Sequence, residues 1–286
     1  MSRLVAVTGA SGYLGGRCAA ALRAAGFSVR RLVRSPSEPG DARFVLGEPV
    51  SPEALRGADA LIHAAHDFRA FGPAEQERVN VAGSRALFAA AAAAGARRVI
   101  AVSSISAFSG CRSDYGRAKL RVEEAAAAVG GISVRPGLIH GEGPGGMFGT
   151  LSRLAGLPVL PLPDGGGQPL YLAHADDVCA ALLAALDWAP DRAAVPVTLA
   201  HPRAIPFRGL LSALAAARGR APLFVPFPSS VMLGLLGAAE AAGLRLPARR
   251  DSLVSLLNSN PAPDFEAARR LGLAFRSFDV SAPQNR

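Results

Sequence analysis

The chain has 286 residues, half of them hydrophobic and 19% charged, with a mean hydropathy of +0.26. A chain of this length buries about 75% of its unfolded surface, so a stapled mini-protein and a disordered tract are excluded, and one large α/β domain or a domain with an appended lobe is expected. The net charge of +9 invites a nucleic-acid reading, but the basic residues are scattered in pairs such as Arg97 with Arg98 and Arg269 with Arg270, without interleaved aromatics, and no nucleic-acid partner is expected.

Taken in chain order, β-type apolar runs alternate with helical stretches. Leu4 to Val7 is a strand, Leu14 to Ala25 a helix, Val29 to Val33 a strand and Ala60 to Ala64 another; a long helix follows from about Glu75 to Ala94, then a strand from Val99 to Val102. A helix from about Tyr115 to Val129 and a strand from Ile132 to Val134 continue the series. Near-continuous apolar strands separated by helices predict a parallel sheet covered on both faces. Gly26, Gly95 and Gly130 stand where helix ends are expected. Beyond Pro136 the texture turns to Gly- and Pro-rich loops, His140 to Gly149 and Leu157 to Pro169, before a helix from about Asp176 to Trp188 and a strand from Val195 to Leu199 return to the sheet. From His201 a smaller, mostly helical lobe is expected. Val231 to Leu246, broken by Glu240 and Arg245, is too short for a ~20-residue span and reads as a buried amphipathic helix, so no membrane partner is expected. Met1 leads directly into an apolar run without the features of a secretory leader, and a cytoplasmic location is expected. Cys18, Cys111 and Cys179 lie too far apart for a disulfide framework or zinc site, and His63 with His66 lacks a third ligand, so no metal is expected.

Between the first strand and helix stands Gly9-Ala10-Ser11-Gly12-Tyr13-Leu14-Gly15. Glycines there allow a tight turn, a close approach of backbone to a pyrophosphate, and a helix N-terminus aimed at the phosphates. Cofactor choice is normally declared at the end of the second strand, where a carboxylate takes the ribose 2′-OH and an Arg a 2′-phosphate. Here that segment reads Arg30-Arg31-Leu32-Val33-Arg34, with no acidic residue before Glu38. Arg34 is the first candidate for the phosphate and Arg31 the second, which favours NADP(H) and leaves NAD(H) as the alternative. The second constellation is Tyr115 with Lys119, four apart and therefore on one helix face, where a cation lowers the phenol's pKa toward general acid and base work. Among the 31 basic residues Lys119 is the one lysine, which marks a place for a compact titratable amine.

These motifs resemble those of the short-chain dehydrogenase/reductase superfamily, in its extended branch of NAD(P)-dependent epimerases, dehydratases and reductases, over nearly the whole chain. The resemblance implies an α/β fold with a Rossmann-type doubly wound parallel sheet, residues 1–140 plus about 176–200 forming the dinucleotide-binding domain and 141–175 with 201–286 a small, mostly helical substrate lobe. It places the nucleotide loop on Gly9, Gly12 and Gly15, the catalytic Tyr and Lys on Tyr115 and Lys119, and the catalytic Ser on Ser104, with Ser103 the less favoured neighbour. In that family the Tyr exchanges a proton with a substrate oxygen, the Lys holds the nicotinamide ribose, and the Ser orients the carbonyl. Cofactor contacts are implied for Ser11, Tyr13, Leu14, Ala64, Ala65, Lys119 and Pro136. Further matches are His63-Ala64-Ala65, Asn80 and His174-Ala175-Asp176-Asp177, where Asp177 is expected to cap or brace the returning helix.

Three departures narrow the reading. Ser104 and Tyr115 are only 11 apart, which predicts an open pocket on that side; Glu48 is followed by Pro49, which weakens an adenine contact; and Ile105 with Ser106 follow Ser104 where dehydratases of the family carry acidic residues. His66, Asp67 and His140 are candidates to line the pocket. The function expected is hydride transfer between NADP(H) and a small carbonyl or alcohol. A nucleotide-sugar epimerase retaining NAD and a non-catalytic dinucleotide-binding sensor are the alternatives, and a homodimer is compatible with either enzyme.

Overall fold

The computed structural model describes residues 2–279 except 144, 190–194, 245, 247 and 248. Its strands are β1 (Leu4–Thr8), β2 (Ser28–Val33), β3 (Ala42–Arg43), β4 (Ala60–His63), β5 (Arg98–Val102), β6 (Ile132–Pro136), β7 (Leu138–His140), β8 (Val159–Pro163), β9 (Pro169–Leu170), β10 (Leu172–His174), β11 (Val197–Leu199), β12 (Ile205–Pro206) and β13 (Leu223–Phe227). The helices are α1 (Tyr13–Ala24), α2 (Pro52–Leu55), α3 (Gly72–Glu75), α4 (Ala82–Ala93), α5 (Asp114–Ala127), α6 (Gly146–Leu154), α7 (Ala175–Ala184), α8 (Phe207–Ala216), α9 (Ser229–Ala241), α10 (Arg250–Leu257) and α11 (Glu266–Arg270). A π-helical turn, Gln76–Val81, joins α3 to α4.

The central sheet runs β11-β6-β5-β4-β1-β2-β3 with every pairing parallel, a Rossmann-type doubly wound sheet. Strand side chains alternate between its faces. Val5 and Val7 enter one core with Leu22, Ile62 and Leu182, whereas Ala6 enters the other with Leu61, Leu87 and Phe88. The chain reverses its winding direction between β1 and β4, and a crevice opens at their carboxyl ends, where this fold binds ligands.

The remaining elements build a third core from Phe148, Leu162, Leu172, Leu210 and Leu214. Both stretches expected as loops hold ordered elements: the end of the first, 146–149, opens helix α6, and Val159–Pro163 within the second pairs with β13 in parallel. Their Gly and Pro content marks the turns beside these elements and conceals the elements themselves. The expected buried helix at Val231 to Leu246 is also corrected. Helix α9 ends at Ala241 with none of its residues buried, and Val231 and Leu235 are 48% and 60% exposed. An apolar pattern all round the helix gave the wrong environment because little of the chain packs over it; Arg245 lies outside the described residues. No helix among them is long and apolar enough to cross a membrane.

Candidate functional site

The glycine turn is shaped by its own backbone. Gly9 has φ +67°, and a Cβ there would stand 2.9 Å from the Ala65 nitrogen; a Cβ on Gly15 would stand 2.3 Å from the Gly9 carbonyl oxygen. The Gly12 amide donates to the Gly9 carbonyl at 2.8 Å, closing the turn. Gly12 caps α1 without any side-chain acceptor, and Ser11 and Gly12 are exposed, so the positive end of the helix is open toward the crevice. Tyr13 and Leu14 open the helix behind it.

Across the switch point, a buried chain of hydrogen bonds fixes the β1 and β4 ends. Thr8 Oγ1 lies 2.8 Å from His63 Nδ1, His63 Nε2 lies 2.8 Å from Ser84 Oγ, and Ser84 donates to the Asn80 carbonyl at 2.6 Å. Since the Ser84 proton is committed, His63 donates through Nε2 and accepts from Thr8, whose oxygen also takes the Ala65 amide at 3.2 Å. Burial, and then the Lys119 charge, push His63 down to about 3, so this ring is a neutral brace. Ala64 and Ala65 are thereby held against Gly9.

Tyr115 and Lys119 lie on the first turns of α5. Ser113 caps that helix by accepting from the Gly116 amide at 3.1 Å. Lys119 is buried; its Nζ donates to the Val102 carbonyl at 2.8 Å and lies 5.8 Å from the centre of the Tyr115 ring. Burial brings its pKa down to about 8, opposed by Glu123, which in turn binds Arg135 through bonds of 2.8 and 2.6 Å. Tyr115 departs from the expectation that the lysine lowers its pKa. Burial raises it, and the opposing influence is the hydroxyl of Ser104. Lys119 donates to Val102 rather than to the phenol, and the phenol's raised pKa favours the protonated form at neutral pH. Ser104 Oγ accepts from the Ser106 amide at 3.1 Å, which leaves its proton free to point into the site. Ser103 is buried, with its Oγ unpartnered among the described residues. The Pro136 carbonyl accepts from the Ile105 amide at 2.9 Å and secures the strand end beside these serines.

The two arginine candidates separate. Arg31 is mostly buried and engaged by Glu38 and by Asp41, so it is not free for a phosphate. Arg34, immediately after β2, is exposed, and it has no hydrogen bond or ion pair among the described residues. Glu48 pairs with Arg43 at 2.8 Å. Asp177 does not cap the returning helix: His174 Nδ1 does, accepting from the Asp176 amide at 3.3 Å, while Asp177 accepts from the backbone and side chain of Arg276. His140 is buried between Phe148, His174 and Phe278 rather than in the neighbourhood of Tyr115. No group of three metal-ligating side chains exists among the described residues.

Of the cover over the phenol, sequence reasoning named His66 as a pocket candidate and missed Phe68 and Asp251. His66 and Phe68 pack on Tyr115, with ring centres 4.9 and 5.9 Å away, and Asp251 of α10 accepts the backbone amides of Asp114 and Tyr115. Neither Phe68 nor Asp251 has a local signal, because both make long-range contacts between segments of unremarkable composition. The residues present fit a dinucleotide: an uncapped helix N-terminus, a backbone approach that a Cβ would fill, and buried unpartnered polar atoms at Ser103 Oγ and His66 Nε2, all at the carboxyl edge of the sheet.

The chain belongs to the NAD dependent epimerase/dehydratase family, whose model matches residues 5–195. It is thus a member of the extended short-chain dehydrogenase/reductase superfamily. It is 36% identical over 192 residues to a ceramide reductase of Caulobacter vibrioides, a match covering 63% of this chain and 60% of that protein's length. It is 28% identical over 307 aligned positions, 94% of this chain and 91% of the relative, to a 4-hydroxy-2-methyl-3-oxo-4-farnesyl-3,4-dihydroquinoline-1-oxide ketoreductase of Stigmatella aurantiaca. Among solved structures it is similar to MoeE5 in complex with UDP-glucose and NAD, with TM-score 0.74, 22% identity, and 99% and 96% of the two chains covered.

Proposed function

We propose that the protein is an NADP(H)-preferring reductase that converts a carbonyl to an alcohol with Ser104, Tyr115 and Lys119 as its catalytic residues. The observation that carries this reading is the side-chain contact of the Tyr115 phenol with the Ser104 hydroxyl, one helical turn from a buried Lys119. Two relatives bearing reductase names support it. A bound dinucleotide supplies the hydride acceptor and donor. Gly9, Ser11, Gly12, Tyr13, Leu14 and Gly15 would hold its pyrophosphate side, Ala64, Ala65 and Pro136 its flanks, Lys119 its nicotinamide ribose, and Arg34 a 2′-phosphate.

In the reducing direction Ser104 donates a hydrogen bond to the substrate oxygen, and Tyr115 transfers its phenolic proton to the same oxygen as negative charge develops there. The phenol's raised pKa keeps that proton in place at neutral pH. Charge on the resulting phenolate is then stabilised by Ser104 and, at longer range, by Lys119. The reaction is tested by following deuterium from labelled NADPH against a panel of carbonyl compounds. One label in the alcohol per NADP+ formed is expected, with turnover lost in Tyr115→Phe. Protein that keeps stoichiometric NAD through dialysis, and shows no net change in nicotinamide absorbance with any carbonyl, identifies an epimerase instead.

A further inference from the structure

Residues 66–71, which follow β4, form a pinned segment whose side chains are aimed at the catalytic tyrosine. Asn80, itself buried, grips Asp67 from both sides, accepting its amide at 2.8 Å and donating to its carbonyl at 3.1 Å. Gln76 donates to the Ala70 carbonyl at 3.0 Å and accepts from Asn80 at 2.8 Å. Both side chains come from the π-helical turn, a distortion that recurs at functional sites. From the opposite side Arg249 donates to the Phe68 carbonyl and lies 4.6 Å from the centre of the Phe71 ring. Six residues between β4 and α3 are thus braced by three side chains from elsewhere, more fixing than a solvated connection requires.

What this segment presents is specific. The His66 ring stands edge-on to Tyr115, at 85° and 4.9 Å, and its Nε2 is buried with no partner among the described residues. A buried unpaired imidazole nitrogen costs free energy unless a ligand completes it. Phe68 stacks near-parallel to Tyr115 at 22° and is 61% exposed, and Phe71 is 56% exposed, so an apolar wall extends from the phenol to the surface. Asp67 binds Arg69 at 3.1 Å, and Arg249 donates to the Phe68 carbonyl beside the Phe71 ring. His66 is held neutral by burial and by the nearby Lys119 charge.

Resting on the reductase reading, we infer that this segment selects the substrate: a carbonyl compound with an apolar arm against Phe68 and Phe71 and a hydrogen-bonding group beside the carbonyl, taken by Nε2 of His66.

Two matched compounds test this: benzylacetone and its analogue with a hydroxymethyl in place of the methyl ketone's methyl group. In the full chain with NADPH, kcat/KM for the hydroxymethyl ketone should exceed that for benzylacetone by about tenfold, the worth of one hydrogen bond. His66→Phe should bring the hydroxymethyl ratio to about one, and His66→Gln, which keeps a hydrogen-bonding group, should restore part of it. Phe68→Ala should reduce the preference for benzylacetone over acetone. A hydroxymethyl ratio near one in the parent protein, or one unmoved in His66→Phe, overturns the inference. Should no carbonyl be turned over, the reductase reading fails by itself, and calorimetric affinities of the same two compounds for the NADPH-bound protein must show the same order and the same response to His66 substitution, or this inference fails too.

Discussion

Asp251 and Tyr115 are joined by a hydrogen bond of 3.0 Å from the tyrosine's own backbone amide to the aspartate's Oδ2, while Oδ1 takes the Asp114 amide at 2.8 Å. With Ser113 receiving the Gly116 amide, the first three amides of α5 are all met. The carboxylate also sits at the positive end of that helix, where negative charge is favoured. A residue of α10 therefore seats the helix that carries the phenol, which couples the C-terminal part of the chain to the chemistry.

Asp251→Ala should accordingly lower kcat by about tenfold and cost about 1 kcal/mol of stability, the usual worth of a lost cap, with a smaller change in cofactor affinity. Asp251→Asn, which keeps one acceptor oxygen, should recover part of the rate. Steady-state kinetics beside NADPH titration separates the two quantities, and an unaltered kcat in the alanine variant would remove Asp251 from the positioning of Tyr115.

Arg34 leaves β2 exposed and unpaired among the described residues, whereas Arg31 is occupied by Glu38 and Asp41. Arg34→Asp should reverse a preference for NADPH over NADH, since a charge-assisted bond to a 2′-phosphate is worth roughly 1.5 to 3 kcal/mol. Arg31→Ala should disturb folding more than cofactor choice. Dissociation constants for both nucleotides in each variant decide the matter, and equal affinities in the parent protein would dismiss Arg34.

Lys119 gives two pH responses of opposite sign. Burial lowers its pKa to about 8, so the ammonium is lost as pH rises through that value, and NADPH affinity should weaken above it. Stability runs the other way. The unfolded lysine binds a proton below about 10.4 and the folded one only below about 8, so between these values the unfolded state holds more protons and stability increases with pH. Lys119→Met should remove both components. Nucleotide titrations and denaturant melts on parent and variant, taken across that window, would count against the assignment if the two curves stayed parallel.

The parallel sheet was legible because its strands are unbroken apolar runs between Ala-rich helices, and the nucleotide turn because Gly9 turns through a positive φ and Gly15 is demanded by the Gly9 backbone six residues earlier. Tyr115 and Lys119 were legible because four residues make one helix turn. The direction of the Tyr115 pKa was not, since it depends on where Lys119 finds its acceptor, and Val102 is 17 residues away. The same limit applies to Asp251, 136 residues from the amide it receives, and to Phe68 over the phenol. Helix α9 failed in another way: hydrophobicity predicts burial only when something packs above it, and pattern alone does not report the neighbour.

His140 provides a stability test away from the reacting atoms. It sits among Phe148, Phe278 and His174, with Nε2 unpartnered among the described residues, and the charged groups facing it are Asp177 and Arg276. Burial, followed by His174, lowers its pKa to about 4, and Asp177 opposes that shift while Arg276 adds to it. The unfolded imidazole takes a proton below about 6.5 and the folded one only below about 4, so stability is lost as pH falls through this interval. His140→Phe keeps an aromatic ring in the cluster and removes the titration. Its stability relative to the parent should therefore increase steadily from neutral pH toward the lower bound, by about 1 kcal/mol once solvent screening is allowed for. His63, buried deeper and lowered to about 3, adds a component of the same sign that persists in the variant, so only the difference between the two proteins is diagnostic. Urea melts at several pH values measure that difference, and a constant offset between parent and His140→Phe would show that His140 titrates alike in both states.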